Sequence, residues 1–372
     1  MAERKNIGGC LKYVMRILRG IRPEELKKCL NLAQEKSGKG KVRLFLDMLW
    51  CSVRYGAGYH DYVMFAFYGM KARSRKTYVT RMKNKKLIVT VNDPDAADIF
   101  DRKVLFDPRF APYLGRGFLL AQETSPEEFG AFIRDKDVIF AKPDVGESGK
   151  GIERLKKSDF PDTDAMYRYV KSRNFGVLEE ELIQHEALKR VYPHSVNSLR
   201  IVTLLTGGPA FDAHCVYAVV KFGGGGKFVD NLENGGMFCP LNPETGEICG
   251  VAHTAALKTL DCHPDTGVPF LGYRIPFVRE AIALCKKAAM EEPRMRYLGW
   301  DVCITPEGPA IIEGNDYPGY DFWQQPEHTP DKTGLWPYYL MMIPELDGRL
   351  CRRGRQAREG AVHTRGANGQ EP

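Results

Sequence analysis

Gly299-Trp300-Asp301-Val302-Cys303-Ile304 and Pro309-Ala310-Ile311-Ile312-Glu313-Gly314-Asn315 flank Thr305-Pro306-Glu307-Gly308, a Pro-x-Gly turn between two strand-like runs. The pattern predicts a β-hairpin. With the turn centred on Glu307, Asp301 lies opposite Glu313, and the period of two puts Glu313 and Asn315 on one face. Two carboxylates held that close raise each other's proton affinity unless a cation lies between them. All three donors are hard oxygens, which favours magnesium over a softer ion. A surface hairpin with solvated acids is the plain alternative. Against it, Asp301 and Glu313 interrupt apolar strands and share a side. Removing Asp301 is expected to leave the fold intact.

Upstream, Val138 to Ala141 reads as a strand ending in Lys142, followed by the turn Pro143-Asp144-Val145-Gly146-Glu147-Ser148-Gly149-Lys150-Gly151. Glycine lets backbone amides approach phosphate oxygens, and a lysine at a strand end can meet a phosphate from a fixed base. An ordinary hairpin accounts for the loop equally well. A P-loop is excluded, because Asp144 and Gly151 stand where Gly and Ser or Thr are required. Val177 to Ile183 begins as a strand and turns acidic at Glu179-Glu180-Glu181, either a carboxylate and backbone edge for a nucleoside or a solvated rim. In Asn197 to Thr203 a single Arg200 stands at the mouth of an apolar strand, where its planar fork suits phosphate or carboxylate. Asp230-Asn231-Leu232-Glu233-Asn234-Gly235-Gly236 then forms a polar, glycine-rich corner.

In this order, these pieces resemble the ATP-grasp superfamily, and within it the sugar-transfer associated ATP-grasp family, related to glutamate-ligase-like proteins. Tyr55 to Tyr62 and Glu181-Leu182-Ile183-Gln184-His185 also look like that family, so the resemblance spans about residues 50 to 330. It implies an α+β ATP-grasp fold, two lobes holding ATP between them. By the same resemblance, Lys142 and Lys103 would contact the ATP phosphates, and the loop with Gly146, Ser148, Gly149 and Gly151 would close over them. Glu179, Glu180, Glu181 and Leu182 would form the nucleotide hinge, with Glu186 reaching the ribose. Arg200 and Asn231 would face the transferred phosphate, with Lys221 a weaker candidate, while Asp301, Glu313 and Asn315 would hold magnesium, manganese being the alternative ion. The implied chemistry is a ligase that activates a small-molecule carboxylate for attack by an amine, in sugar or polysaccharide modification. Kinase chemistry on a hydroxyl and non-catalytic nucleotide binding are the alternatives.

Around this centre, residues 1–90 read as a helical region, with helices predicted near 23–36, Val42–Val53 and 59–70. Residues 91–345 are the ATP-grasp domain, its lid lobe at about 130–180 and its larger lobe at about 181–345. A helix over Ala96 to Phe106, a strand at Lys227-Phe228-Val229 and a core-facing helix over Ile275 to Met290 are expected. Residues 346–372 carry too few apolar side chains to offset ordering and are expected to be a disordered basic tail.

Hydrophobic residues at 43% and charged residues at 27% are ordinary for a globular chain. The net charge of +7 gathers at the two ends, with no interleaved basic and aromatic stripe for nucleic acid. The ten cysteines are scattered singly, as in reduced cytoplasmic proteins. Leu44 to Met70 is broken by charges and glycines, so no membrane span is expected.

Overall fold

The computed structural model describes residues 22–146, 150–207, 211–227 and 230–347. Ser148, Gly149, the 228–229 part of the expected strand and the tail beyond 347 lie outside these residues. The chain divides into two units, one running to Thr90 and resuming at Gln324, the other Val91–Trp323.

The first unit is helical. Helix α1 (Pro23–Ser37) opens on proline with Glu24 and Glu25 in its first turn and ends at Gly38, whose left-handed backbone releases the chain. Helix α2 (Lys41–Tyr55) turns Leu44, Met48 and Cys51 inward and stops at Gly56 in the same way. The helix expected over 59–70 covers only Tyr59–Met64 (α3): Ala66 turns left-handed at φ 51°, and a 3-10 turn follows at Phe67–Gly69. Its aromatics are core, with Tyr62, Phe65, Phe67 and Tyr78 packed ring to ring. Sequence reading missed α4 (Arg81–Val91). Gln324 belongs to this unit because its side-chain amide pairs with the Val79 backbone, accepting at 2.8 Å and donating at 3.1 Å.

In the second unit the helix expected at 96–106 is broken. Arg102 is extended, and α5 starts afresh at Lys103–Phe110. The break has a cause: the Asp144 carboxylate accepts from the Val104 amide at 3.1 Å and its carbonyl accepts from the Lys103 amide at 3.0 Å, capping the new helix from a distant loop.

Two antiparallel sheets follow. The smaller runs β1 (Phe118–Leu120), β4 (Phe175–Glu180), β2 (Val138–Pro143), β3 (Glu153–Lys156). Helices α6 (Pro126–Phe132), started by a Ser125–Glu128 capping box, and α7 (Thr163–Ser172), capped by Asp162, cover it through Phe129, Met166 and Val170.

The larger sheet has the order β11 (Gly308–Asn315), β10 (Tyr297–Thr305), β5 (Ser198–Leu205), β6 (Ala213–Phe222), β7 (Met237–Pro240), β8 (Ala252–Thr254), β9 (Thr259–Leu260). Helix α9 (Val278–Glu291) begins a turn later than expected, after Phe277 at φ 57°. Its Val278, Ala281, Cys285 and Ala288 share one core with Leu199, Ile201, Val302, Ile304 and Ile311. By the period of two, Arg200 and Asp301 occupy the other face.

Candidate active site

The hairpin reaches the expected pairing by an unexpected route. Its turn has two central residues, with Thr305 opposite Gly308, and an unbroken ladder from there sets Asp301 opposite Ile312. A bulge between Asp301 and Val302 inserts one residue in β11, so Val302 faces Ile311 while Asp301 faces Glu313. The register continues across two more strands, with Asp301 beside Arg200 and Arg200 beside Val219.

Asp301 is buried at the centre of that row. Arg200 donates from Nε to Oδ1 at 2.6 Å and from Nη2 to Oδ2 at 3.0 Å, a two-toothed grip, and Lys221 Nζ reaches Oδ2 at 3.1 Å. Burial pushes the Asp301 carboxyl up, but the two cations outweigh it and hold it well below the usual carboxylate range. Burial also opposes the Lys221 charge, yet Asp230 and Asp301 raise its ammonium above the ordinary value. Asp230 completes the network, accepting from the Ser198 amide at 3.0 Å and hydroxyl at 2.5 Å, with Lys221 at 3.7 Å. Removing Asp301 therefore takes the carboxylate from Arg200 and leaves Lys221 with Asp230 alone at 3.7 Å, which argues against its loss sparing the fold.

Glu313 is different. Among the described residues nothing hydrogen-bonds its carboxylate, and burial followed by the nearby Asp301 charge pushes its proton affinity above the ordinary value, with Lys221, Arg200 and Lys103 pulling the other way. Asn315, two residues on, donates its amide to the Gly299 carbonyl at 3.4 Å, which leaves its carbonyl oxygen without a partner among the described residues. A half-buried carboxylate with unused lone pairs and a neutral oxygen beside it fit a hard divalent cation. No cluster of three His, Cys, Asp or Glu ligands occurs among the described residues, so phosphate and water oxygens are needed to complete such a site.

Lys142, next to last in β2, donates to Glu179 Oε2 at 2.6 Å, and Arg116 Nε donates to the same oxygen at 2.6 Å. Burial works to lift Glu179's carboxyl, but the two cations hold it far below its ordinary value, while burial lowers the Lys142 ammonium. Beside them Asp107 is buried with Oδ2 unpartnered, and burial together with the Glu179 charge pushes its carboxyl up to about 7. Arg116 also donates to the carbonyls of Ile311, at 2.7 Å, and Ile312, at 3.2 Å, the residues just before Glu313. One guanidinium thus joins the lysine's anchor to the carboxylate hairpin. Sequence reading missed Arg116, Asp107 and Asp230; an arginine set between Gly115 and Gly117 was the available signal for the first.

The remaining expected residues fall in three groups. Lys103 opens α5 and donates to the Gly146 carbonyl at 3.3 Å, and Gly151 takes a left-handed φ of 76°, so both frame the loop after Lys142. Glu180 ends β4, accepting from the Gly117 amide at 2.8 Å and pairing with Lys136 at 3.0 Å, and Glu181 pairs with Arg154 at 3.3 Å. Leu182 is half-buried on the connector to α8 (Glu186–Val191), whose exposed first residue Glu186 pairs with Lys189 at 3.1 Å. Asn231 precedes a 3-10 turn at Leu232–Asn234 and engages it through its backbone carbonyl; its neighbour Asp230 is the one tied to Lys221.

A small antiparallel sheet carrying a lysine beside a glycine loop, joined by a short connector to a larger sheet with a carboxylate hairpin, defines the ATP-grasp fold. The chain belongs to the sugar-transfer associated ATP-grasp family, whose profile matches residues 82–330. No curated protein matches it. Solved structures similar to the chain include the D-alanyl-alanine synthetase A of Vibrio cholerae, at 13% identity and TM-score 0.40 over 68% of this chain and 67% of that one. The ATP-grasp ligase PsnB, complexed with a phosphomimetic variant of its minimal precursor, Mg and ADP, is similar at 13% identity and TM-score 0.39 over 69% and 61%. The ADP complex of N5-carboxyaminoimidazole ribonucleotide synthetase is similar at 12% and 0.36 over 59% and 45%. The chain thus spans between about half and two thirds of these proteins' own length.

Proposed function

We propose that this protein is an ATP- and magnesium-dependent ligase that activates a small-molecule carboxylate as an acyl phosphate for attack by an amine, in sugar or polysaccharide modification in the cytoplasm. The observation that carries the reading is the row Glu313, Asp301, Arg200, with Lys221 beside it and Lys142 linked to it through Glu179 and Arg116. Family membership supports the nucleotide, and among the described residues no helix is long and apolar enough to cross a membrane.

In this reading Lys142 and Lys103 bind the polyphosphate of ATP, the loop from Gly146 to Gly151 covers it, and the connector after β4 takes the adenine, with Glu186 toward the ribose. Glu179 acts as the anchor that orients Lys142. Glu313 and Asn315, with Asp301, hold the divalent ion, which when bound neutralises charge across the phosphate oxygens. Arg200 is held flat by Asp301 and keeps one face of its fork for the phosphoryl group in transfer, with Lys221 and Asn231 at its side. The substrate carboxylate oxygen bonds to the terminal phosphorus as the bond to ADP breaks; the amine nitrogen then bonds to the acyl carbon as phosphate leaves.

Hydroxylamine tests the step. With ATP, Mg2+ and a panel of sugar and amino acids, the ligase releases ADP and a hydroxamate. A stable phosphorylated product signals a kinase acting on a hydroxyl, and nucleotide binding without turnover signals a binding protein; either outcome overturns the proposal.

A further inference from the structure

The bulge in β11 is what makes Asp301 and Glu313 neighbours, and such an irregularity needs something to hold it. With the extra residue removed, the ladder counted from Thr305 and Gly308 is regular. With the extra residue present but unheld, the same ladder sets Ile312 opposite Asp301 and turns Glu313 to the opposite face, because a one-residue slip exchanges the faces of a strand. Two carbonyls at the bulge, those of Ile311 and Ile312, accept from the two ends of the Arg116 fork at 2.7 and 3.2 Å. The Arg116 side chain is only 1% exposed, and its Nε is fixed on Glu179 at 2.6 Å, the carboxylate that also takes Lys142. A third carbonyl, that of Leu114, accepts from the same guanidinium at 3.3 Å.

We infer that Arg116 is a positioning residue: it locks the β11 register that presents Glu313 beside Asp301, and it aligns that edge with Lys142 through Glu179. Its own hydrogen bonds go to Glu179 and to the carbonyls of Leu114, Ile311 and Ile312. Its planar fork matters as much as its charge, since its two terminal nitrogens must reach two successive carbonyls while Nε keeps the carboxylate. This inference rests on the metal role proposed for Glu313 and deepens it.

Isothermal titration of the full chain with ATP, once in Mg2+ and once in EDTA, separates the two halves of the site. Arg116→Gln is expected to weaken the apparent Mg2+ affinity by about 10–100-fold, the range for residues that orient metal ligands, and to weaken ATP affinity in EDTA by much less, because Lys142 keeps its own bond to Glu179. Equal losses in both conditions, or none in either, overturn the inference. If Arg116→Gln does not fold, Arg116→Lys carries the same comparison, because it keeps a charge against Glu179 but cannot span both carbonyls. Deletion of Ile312 is the rescue: it removes the extra residue, so Mg2+ affinity is expected to return in the Arg116→Gln background. Persistence of the defect there also overturns the inference. Failure of the underlying metal reading is separately visible, since Glu313→Gln then leaves the Mg2+ dependence of the parent unaltered.

Discussion

Glu313 and Asp301 sit opposite each other in one ladder, yet their different partners predict opposite responses to substitution. Asp301 is gripped by Arg200 and Lys221, so Asp301→Ala leaves the buried Arg200 without its carboxylate and Lys221 with Asp230 alone, and is expected to cost about 3–5 kcal/mol in denaturant unfolding. Loss of Mg2+ binding with undiminished stability contradicts that. Glu313→Gln, by contrast, removes a carboxylate that nothing described here hydrogen-bonds, and is expected to abolish Mg2+-dependent ATP binding while leaving the metal-free melting temperature at or above that of the parent. Asp107 supplies a pH test. Its carboxyl rises from an ordinary 3.8 to about 7, so the folded state binds the proton more tightly than the unfolded chain. That contribution is complete below about pH 4 and is lost as pH rises toward 7. Asp107→Asn is neutral throughout, so its melting temperature should gain on the parent's between pH 4 and pH 8; an equal offset at both contradicts the assignment. Asp301, Glu313 and Asn315 were legible in sequence because fifteen consecutive residues contain them. Arg116 was not, since its partners lie 63 and 195 positions away.

Among elements, the hairpin shows how a sequence pattern can predict the right neighbours without the geometry that produces them. A turn centred on Glu307 and a two-residue turn followed by a bulge yield the same pairing, and only the fold distinguishes them. Short-range signals were strong elsewhere too: proline with acids at the start of α1, glycines after α1 and α2, and the core stripe of α9 all mark real elements. Where elements failed to follow local pattern, a distant or special residue intervened. Asp144 restarts the helix at Lys103, and Ala66 ends α3 early. Gly314 marks another contact invisible to local reading. A Cβ there meets Phe100 at 2.8 Å and Phe106 at 2.9 Å, rings fixed in the aromatic cluster around Trp300. Gly314→Ala is expected to destabilise the protein by about 1–3 kcal/mol, the usual cost of overpacking a core; a neutral melting curve contradicts that packing.

At the scale of the whole molecule, the unit Val91–Trp323 carries both the four-stranded and the seven-stranded sheet. The sequence boundary at 345 differs from the unit's end at Trp323, because Gln324 and the residues after it bond to Thr77 and Val79 of the helical unit. Hydrophobic periodicity does not reveal which unit a returning segment joins. The central claim, that one edge of the large sheet and the lysine of the small sheet together receive a magnesium-bound nucleotide, has a direct test in thermal unfolding with ATP in Mg2+ or in EDTA. The parent should be stabilised in Mg2+ by about 2.7 kcal/mol at a hundredfold excess over the dissociation constant. Glu313→Gln should lose only the Mg2+-dependent part, and Lys142→Ala the response in both conditions. A parent that does not respond to saturating nucleotide, or variants that respond as fully as the parent, contradict it.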